Sequence, residues 1–121
     1  MKIENIKFKA KSTLDGAWVQ GDLIHKEDGK IAILRNGFNV SDVDPSTICQ
    51  FTGLTDSNGN EIWEHDFLQS QETKAIYEVV WDDGGFMISD YVFGVNTMIS
   101  LCSALRMRRI KVVGNKFDKE K

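Results

Sequence analysis

The fold is decided by the segment Gln50-Phe-Thr-Gly-Leu-Thr-Asp-Ser-Asn-Gly-Asn-Glu-Ile-Trp-Glu-His-Asp-Phe-Leu68. At its centre, Asn58-Gly59 favours a tight β-hairpin turn, because both residues tolerate positive φ at the two central turn positions. Strand-like apolar residues lead into this turn and resume after it. The segment therefore predicts a hairpin that joins two halves of the chain.

Composition places the chain among ordinary globular proteins, with 121 residues, 41% hydrophobic and 27% charged. A formal net charge of −3 gives no general attraction to nucleic acid or to an anionic membrane, so such binding would need a local basic patch. The N-terminus lacks the apolar run of a signal peptide, and no segment approaches the ~18 apolar residues of a membrane span. We expect a cytoplasmic protein that does not associate with membranes.

The two cysteines, Cys49 and Cys102, form no CxxC pair. Free cysteines in a reducing compartment are usually small buried hydrophobic residues. We therefore interpret both cysteines as core residues and expect no cofactor or metal bound to them.

Residues 6–11 alternate between apolar and basic side chains, which is the period of a half-buried β-strand. The apolar members are Ile6, Phe8 and Ala10, and the basic members are Lys7, Lys9 and Lys11. This alternation predicts a first strand with one basic face.

The segment from Ala75 to Trp81 is dense in β-branched and aromatic residues, which favour strands. Its alternation places Tyr77, Val79 and Trp81 on one face. We expect Tyr77 and Trp81 to pack in the core.

Antiparallel hairpins are indicated by glycines that follow an Asp or Asn between strand-like segments. These glycines are Gly16, Gly29, Gly37, Gly59 and Gly84. Parallel strands would need a crossover helix after each strand, and that pattern is missing from the sequence. Short strands at this spacing usually close into small barrels or pack as sandwiches.

One short helix is predicted near the C-terminus, where four residues fall at helical spacing: Met98, Leu101, Cys102 and Leu105. Asn96 or Thr97 would serve as its N-cap.

Turn-forming residues gather around the single proline, Pro45. We therefore predict an N-terminal β subdomain of residues 1–43 and a C-terminal β subdomain of residues 44–121, within one compact unit.

The central segment resembles the hallmark of the YopX family of bacteriophage and prophage proteins. The resemblance is carried by Gln50-Phe51-Thr52-Gly53-Leu54, Asp56, Asn58-Gly59, Glu61-Ile62 and Asp66, by Trp18-Val19-Gln20-Gly21 upstream, and by Val79-Val80-Trp81 and Lys111-Val112-Val113-Gly114-Asn115 downstream. His65 stands where the family more often has a small residue. The resemblance implies a mainly β protein built of small SH3-like barrels, encoded by phages or prophages, and without an established activity.

Catalytic and metal chemistry are weakly indicated. Asp56, Asn58, Asn60 and Glu61 crowd one turn with oxygen atoms, but an EF-hand loop places its glycine sixth, whereas Gly59 comes fourth.

In Glu64-His65-Asp66, the alternation of a strand would put Glu64 and Asp66 on one face and His65 on the other. That spacing is wrong for an acid/base cluster. We therefore expect neither an enzyme nor a metal site.

Two binding hypotheses remain open. The first is a protein partner, or a second copy of the chain, bound at a rim formed by Trp63, His65 and Phe67, because SH3-like barrels often recognise peptides or pair through exposed edges. We expect the protein to act in this way.

The alternative is nucleic acid, held by the Lys7, Lys9 and Lys11 face together with Arg106, Arg108, Arg109 and Lys111. Small β-barrels do bind nucleic acid through basic grooves. The competing interpretation is a solvated strand face and a helix end whose cations complement the helix dipole.

Overall fold

The structure is a computed structural model that describes residues 2–82, 84–92, 95–107 and 109–118. The strands are β1 (Phe8–Lys11), β2 (Trp18–His25), β3 (Ile31–Arg35), β4 (Asn39–Asp42), β5 (Cys49–Thr55), β6 (Glu61–Trp63), β7 (Asp66–Ser70), β8 (Ile76–Asp82), β9 (Gly85–Val92), β10 (Val95–Ser100) and β11 (Ile110–Asn115). Short 3-10 helices span Ile3–Asn5 and Pro45–Thr47, and the α-helix α1 spans Leu101–Met107.

The strands form two sheets, and the strand pairs described in them are antiparallel. One sheet has the strand order β4-β3-β2-β1-β5-β6, and the other has the order β10-β9-β8-β7-β11. The predicted mainly β fold built of hairpins is therefore confirmed. The predicted closed barrels are wrong, because each sheet ends in two edge strands; Ser12 and Val43 form only an isolated bridge.

The chain divides into two compact units, Met1–Phe51 and Thr52–Lys121. The sequence placed a boundary after residue 43. Residues that follow this point pair with β1, since the Asp44 N–H donates to the Lys11 carbonyl at 2.9 Å and Cys49 lies opposite Lys9. The segment around Pro45 therefore belongs to the first unit.

The core of the first unit is small and aliphatic, formed by Ala10, Val19, Ile33 and Val43. Phe8 packs against it, so the apolar side of residues 8–10 faces inward as the alternation predicted. The basic residues of β1 therefore occupy its opposite face.

The second unit has a larger core, which includes Ile62, Leu68, Tyr77, Val79, Ile88, Leu101, Ala104 and Ile110. Burial of Tyr77 is confirmed, whereas burial of Trp81 is wrong. Trp81 is 53% exposed, because it lies at the end of β8 beside the β8–β9 turn, where Asp82 pairs with Gly85. Its ring packs edge-on against Phe86, with 4.9 Å between centroids.

The predicted short helix is present, but it begins later than expected. Met98 and the expected N-cap residues Asn96 and Thr97 all lie in β10, which pairs with β9 in a hairpin. The helix buries Leu101 and Ala104 and leaves Cys102 exposed. Core placement is therefore right for Cys49 and wrong for Cys102, which lies on the outer side of the helix.

Strand β2 changes partner at Gly21, which lies opposite Phe8 of β1, whereas the next residue, Asp22, lies opposite Leu34 of β3. Gly21 has φ 156°, and a Cβ built there would lie 1.9 Å from the Leu34 carbonyl oxygen. The first unit therefore needs a glycine at this crossing, both for its backbone conformation and for space.

We expect Gly21→Ala to lower the free energy of unfolding by at least about 3 kcal/mol, because the methyl group collides with backbone that cannot move aside. Urea unfolding followed by tryptophan fluorescence would measure this loss. The matched control is Gly29→Ala, since Gly29 has φ 86° but open space around the added Cβ; its cost is about 1 kcal/mol. Equal losses in the two variants would contradict the close approach.

Candidate functional site

The carboxylate of Asp56 is buried, with 6% of the residue exposed, at the start of the β5–β6 turn. Its Oδ1 accepts the backbone N–H groups of Asn58 at 2.9 Å and Asn60 at 2.8 Å. Its Oδ2 accepts the Asn60 side-chain amide at 3.2 Å and the Val112 N–H at 3.0 Å. The oxygen atoms that resembled metal ligands in the sequence are thus used to build the turn and to attach it to β11.

The bond to Val112 explains how β11 is held on its outer side. β11 is an edge strand that pairs with β7, and its register shifts between Val112 and Gly114. An N–H group at such an edge needs an acceptor from outside the sheet. Asp56 supplies this acceptor from a hairpin more than fifty residues earlier in the chain.

Burial of Asp56 raises the pKa of its carboxyl group, but its donors more than reverse this effect. The Val112 and Asn60 N–H groups, the Asn60 amide and the Asn58 N–H lower the pKa below the usual 3.8. Asp56 is therefore ionised at neutral pH and forms charge-assisted hydrogen bonds.

Asp66 also has a structural role. It is buried, its Oδ2 accepts the Trp63 N–H at 2.8 Å, and its Oδ1 accepts the Asn115 side-chain amide at 2.9 Å. The Asn115 side-chain oxygen in turn accepts the Phe117 N–H at 2.9 Å. A second buried carboxylate therefore joins the central segment to the end of β11.

The predicted alternation of Glu64, His65 and Asp66 is wrong, because β6 ends at Trp63 and β7 begins at Asp66. Glu64 and His65 instead form the connection, and His65 has φ 69°. Residues with a β-carbon disfavour this left-handed conformation, whereas glycine adopts it freely. A small residue would therefore suit this position better than histidine.

His65 contacts several groups in the second unit. Its Nδ1 lies 3.0 Å from Oε2 of Glu78, its Nε2 lies 3.7 Å from Oε2 of Glu64, and its ring packs edge-on against Phe117. Its carbonyl accepts the Lys116 N–H at 2.9 Å. The side chains of Glu64 and His65 are thus close together and do not point to opposite faces of a strand. His65 also contacts the C-terminal segment, through its ring at Phe117 and its carbonyl at Lys116.

The predicted protein-binding rim does not form a continuous exposed surface. Trp63 is only 4% exposed and lies in the interior, while His65 and Phe67 are half-buried. The prediction that Trp63 belongs to an exposed binding rim is therefore wrong, because its side chain is buried in the interior. Binding of a partner at His65 and Phe67 stays a prediction.

The basic face of β1 is built on aromatic rings. The Lys9 and Lys11 Nζ atoms lie 4.7 Å and 4.4 Å from the centroid of Trp18, and the Lys7 Nζ lies 4.7 Å from the centroid of Phe51. Such cation–π contacts restrict where the three ammonium groups lie. Lys9 and Lys11 of β1 thus share the ring of Trp18, and Lys7, which directly precedes β1, lies over the ring of Phe51; we call these three lysines the basic face of β1.

The second basic run lies in the other unit. Arg106 is in the last turn of α1, Arg109 is exposed, and Lys111 lies opposite Gln69 in β11. Arg108 is outside the described residues. A contribution of these residues to nucleic-acid binding stays a prediction.

Sequence reasoning missed a groove in the first unit, mostly polar in its lining, with a volume of about 460 Å³. It is lined by Ser12, Thr13, Leu14, Lys26, Val40, Ser41 and Asp42. Leu14 is 93% exposed and Val40 is 51% exposed. The available signal was Leu14 itself, an isolated large apolar residue between polar turn formers.

Two charges in this groove neutralise one another. Lys26 Nζ donates to the Asp42 carboxylate, which raises the pKa of Lys26 and lowers the pKa of Asp42.

In the described part of the chain, no three His, Cys, Asp or Glu side chains gather in a way that could hold a metal ion. No helix among those residues is long and apolar enough to cross a membrane.

Comparison with known proteins extends the similarity beyond the central segment. The family model described as YopX protein matches residues 3–120. This range includes nearly all of both compact units. No curated protein matches the sequence.

We expect Asp56→Asn to lower the free energy of unfolding at pH 7 by about 2 kcal/mol, because an amide replaces one acceptor oxygen with a donor facing N–H groups. The folded-state pKa of Asp56 is depressed, so its stabilising effect is complete above the unfolded value of about 3.9 and disappears as pH falls through the folded value. The stability difference between wild type and variant should be flat from about pH 5 to 8 and shrink below about pH 4.

The matched control is Asp28→Asn. Asp28 accepts the Lys30 N–H at 2.9 Å in a similar turn, but it is exposed. Its effect should stay within about 0.5 kcal/mol. Equal effects of the two substitutions, or a difference that does not change between pH 2 and 8, would contradict the role of Asp56.

A second prediction concerns the backbone at His65. His65→Gly and His65→Ala both remove the contacts to Glu78 and Phe117, so they differ mainly in how well they tolerate φ 69°. We expect the glycine variant to be more stable than the alanine variant by about 1 kcal/mol. Thermal unfolding of both variants would measure this difference, and an alanine variant of equal stability would show that the conformation is not strained.

Proposed function

Because the chain belongs to the YopX family, we propose that it is a phage or prophage accessory protein of the bacterial cytoplasm that acts by binding another protein, without catalysis. The origin rests on the resemblance of the central segment. The proposal that the protein acts without catalysis is supported by Asp56 and Asp66, whose carboxylates accept hydrogen bonds that hold the second unit together.

The observation that carries the binding proposal is the exposure of Leu14 and Val40 in one groove. Exposed apolar side chains that border a concavity often mark protein interaction sites. Phe38 is 78% exposed and lies two residues before Val40, in the turn that leads into the edge strand β4. Phe38 does not line the groove, so Leu14 and Val40 are the apolar side chains of its lining.

The lining of the groove favours an uncharged occupant. Lys26 and Asp42 are paired with one another, and Ser12, Thr13 and Ser41 can exchange hydrogen bonds with a backbone. We therefore assign the groove to a short extended segment of a partner protein that places an apolar side chain against Leu14 and Val40.

A short segment fits better than a second copy of the chain. Stable interfaces between folded proteins use roughly 20–30 residues on each side. The exposed apolar surface of this groove consists of two side chains, Leu14 and Val40, which is a suitable anchor for a peptide but a small basis for a dimer.

The experiment begins with a displayed library of random peptides selected on the wild-type chain. Enriched peptides should be apolar, and their affinity should fall at least about tenfold for Leu14→Glu and Val40→Glu, because each change places a charge in the apolar contact. Fluorescence anisotropy of labelled synthetic peptides would measure the affinities. Binding should change little between 50 and 300 mM salt, since the groove charges are already paired.

The matched control is Ile76→Glu, which adds the same charge at an exposed isoleucine of the second unit. Peptide affinity should be unchanged in this variant. Peptides that bind the Leu14 and Val40 variants as well as wild type would overturn the assignment of the groove. Light scattering that shows a dimer broken by Leu14→Glu would assign the groove to a second copy.

A further inference from the structure

We propose that the basic face of β1 binds the phosphate backbone of single-stranded nucleic acid. The face consists of Lys7, Lys9 and Lys11, with Trp18 and Phe51 beneath the ammonium groups. This activity is separate from peptide binding in the groove and rests on different residues.

The spacing of the lysines suits a linear polyanion. Lys9 and Lys11 lie two residues apart in β1 and Lys7 directly precedes the strand, so their Cα atoms advance by about 6.8 Å per step where the backbone is extended. That distance is twice the ~3.4 Å axial rise per nucleotide in a stacked strand. Each successive lysine can therefore meet a phosphate at a regular interval.

The rings beneath the lysines restrict the ammonium groups before any ligand arrives. Lys9 and Lys11 share the Trp18 ring at 4.7 Å and 4.4 Å, which holds two like charges close together. Side chains that are already restricted lose less conformational entropy when they bind.

The neighbouring strand β2 places the amide of Gln20 and the negatively charged Asp22 beside the lysines. Gln20 lies opposite Lys9 and is exposed, so its amide is available to a phosphate or sugar. Asp22 follows Gly21, the partner of Phe8, and therefore lies at the Lys7 end of the face. We assign the stronger contacts to Lys9 and Lys11 and expect Asp22 to weaken binding at the other end.

A single strand is favoured over a duplex by the shape of the face. The three lysines follow one another on one extended segment, with the Lys7 ammonium over Phe51 on one side and the Lys9 and Lys11 ammonium groups over Trp18 on the other, so the face is narrow enough for one line of phosphates. Sequence readout in a duplex needs a helix or a β-ribbon that enters the major groove. The face is therefore expected to bind without sequence preference.

The test is fluorescence anisotropy with a labelled oligothymidylate of about 15 nucleotides, a length on the order of one small-domain site. Three phosphate contacts predict a slope of about −2 for log K against log salt, so affinity should fall about twentyfold between 50 and 200 mM salt. Changing Lys7, Lys9 and Lys11 together to Glu should abolish binding. Asp22→Asn should strengthen it.

The matched control changes Lys2, Lys30 and Lys74 to Glu, three exposed lysines that give the same net charge change. This variant should keep both the affinity and the salt slope. Trp18→Leu should weaken binding several-fold while the slope stays near −2, because the charges remain but their positions are less restricted. Thermal unfolding of every variant separates loss of binding from loss of fold.

Several outcomes would overturn the proposal: no binding at 50 mM salt, equal losses in the two triple variants, or stronger binding to a duplex of the same length. Polyglutamate that competes as well as the oligonucleotide at equal charge would reassign the face to acidic proteins. Leu14→Glu should leave oligonucleotide binding unchanged, so failure of this proposal and failure of the peptide groove can be told apart.

Discussion

The second unit depends on a buried negative charge that is surrounded by N–H donors. Asp56 accepts bonds from its own turn and from Val112, and through this carboxylate a local turn holds a strand distant in sequence. A buried carboxylate is costly unless it is fully bonded, so the turn and the strand must form together. Asp66 repeats the arrangement with Asn115, and His65 adds a third contact through Lys116. The central segment is thus the place where the C-terminal strand is attached.

Much of the fold follows from local sequence, because hairpin turns depend on few residues. Asn58-Gly59 and Asp28-Gly29 lie in turns as predicted, and Gly59 and Gly29 have positive φ. The tight two-residue turn expected at Asn58-Gly59 is wrong in detail, because Asn58 lacks positive φ and the loop runs from Asp56 to Asn60. The alternation around β1 correctly placed Phe8 and Ala10 against the core. These successes share a cause: the signal and the structure that it specifies lie within a few residues of one another.

Burial of individual aromatic residues was harder to predict, because it depends on where a strand lies in the completed sheet. Trp63 was expected at the surface and is buried, whereas Trp81 was expected in the core and is half exposed at a strand end. The groove at Leu14 and Val40 could not be predicted for the same reason, since it brings together two segments far apart in sequence. The roles of Asp56 and Asp66 were also hidden, because their partners Val112 and Asn115 are chosen by tertiary structure.

The attachment of β11 also determines the order in which the chain can fold during synthesis. The residues that pair with β1 all lie in the first unit, so these pairs need no residue after Phe51. The second unit must wait, because β11 is the last strand and its Val112 and Asn115 supply donors to carboxylates made much earlier. Until then Asp56 and Asp66 stay solvated and their hairpin stays open to water. A chain that stops before Val112 would therefore lack both donors that β11 gives to Asp56 and Asp66.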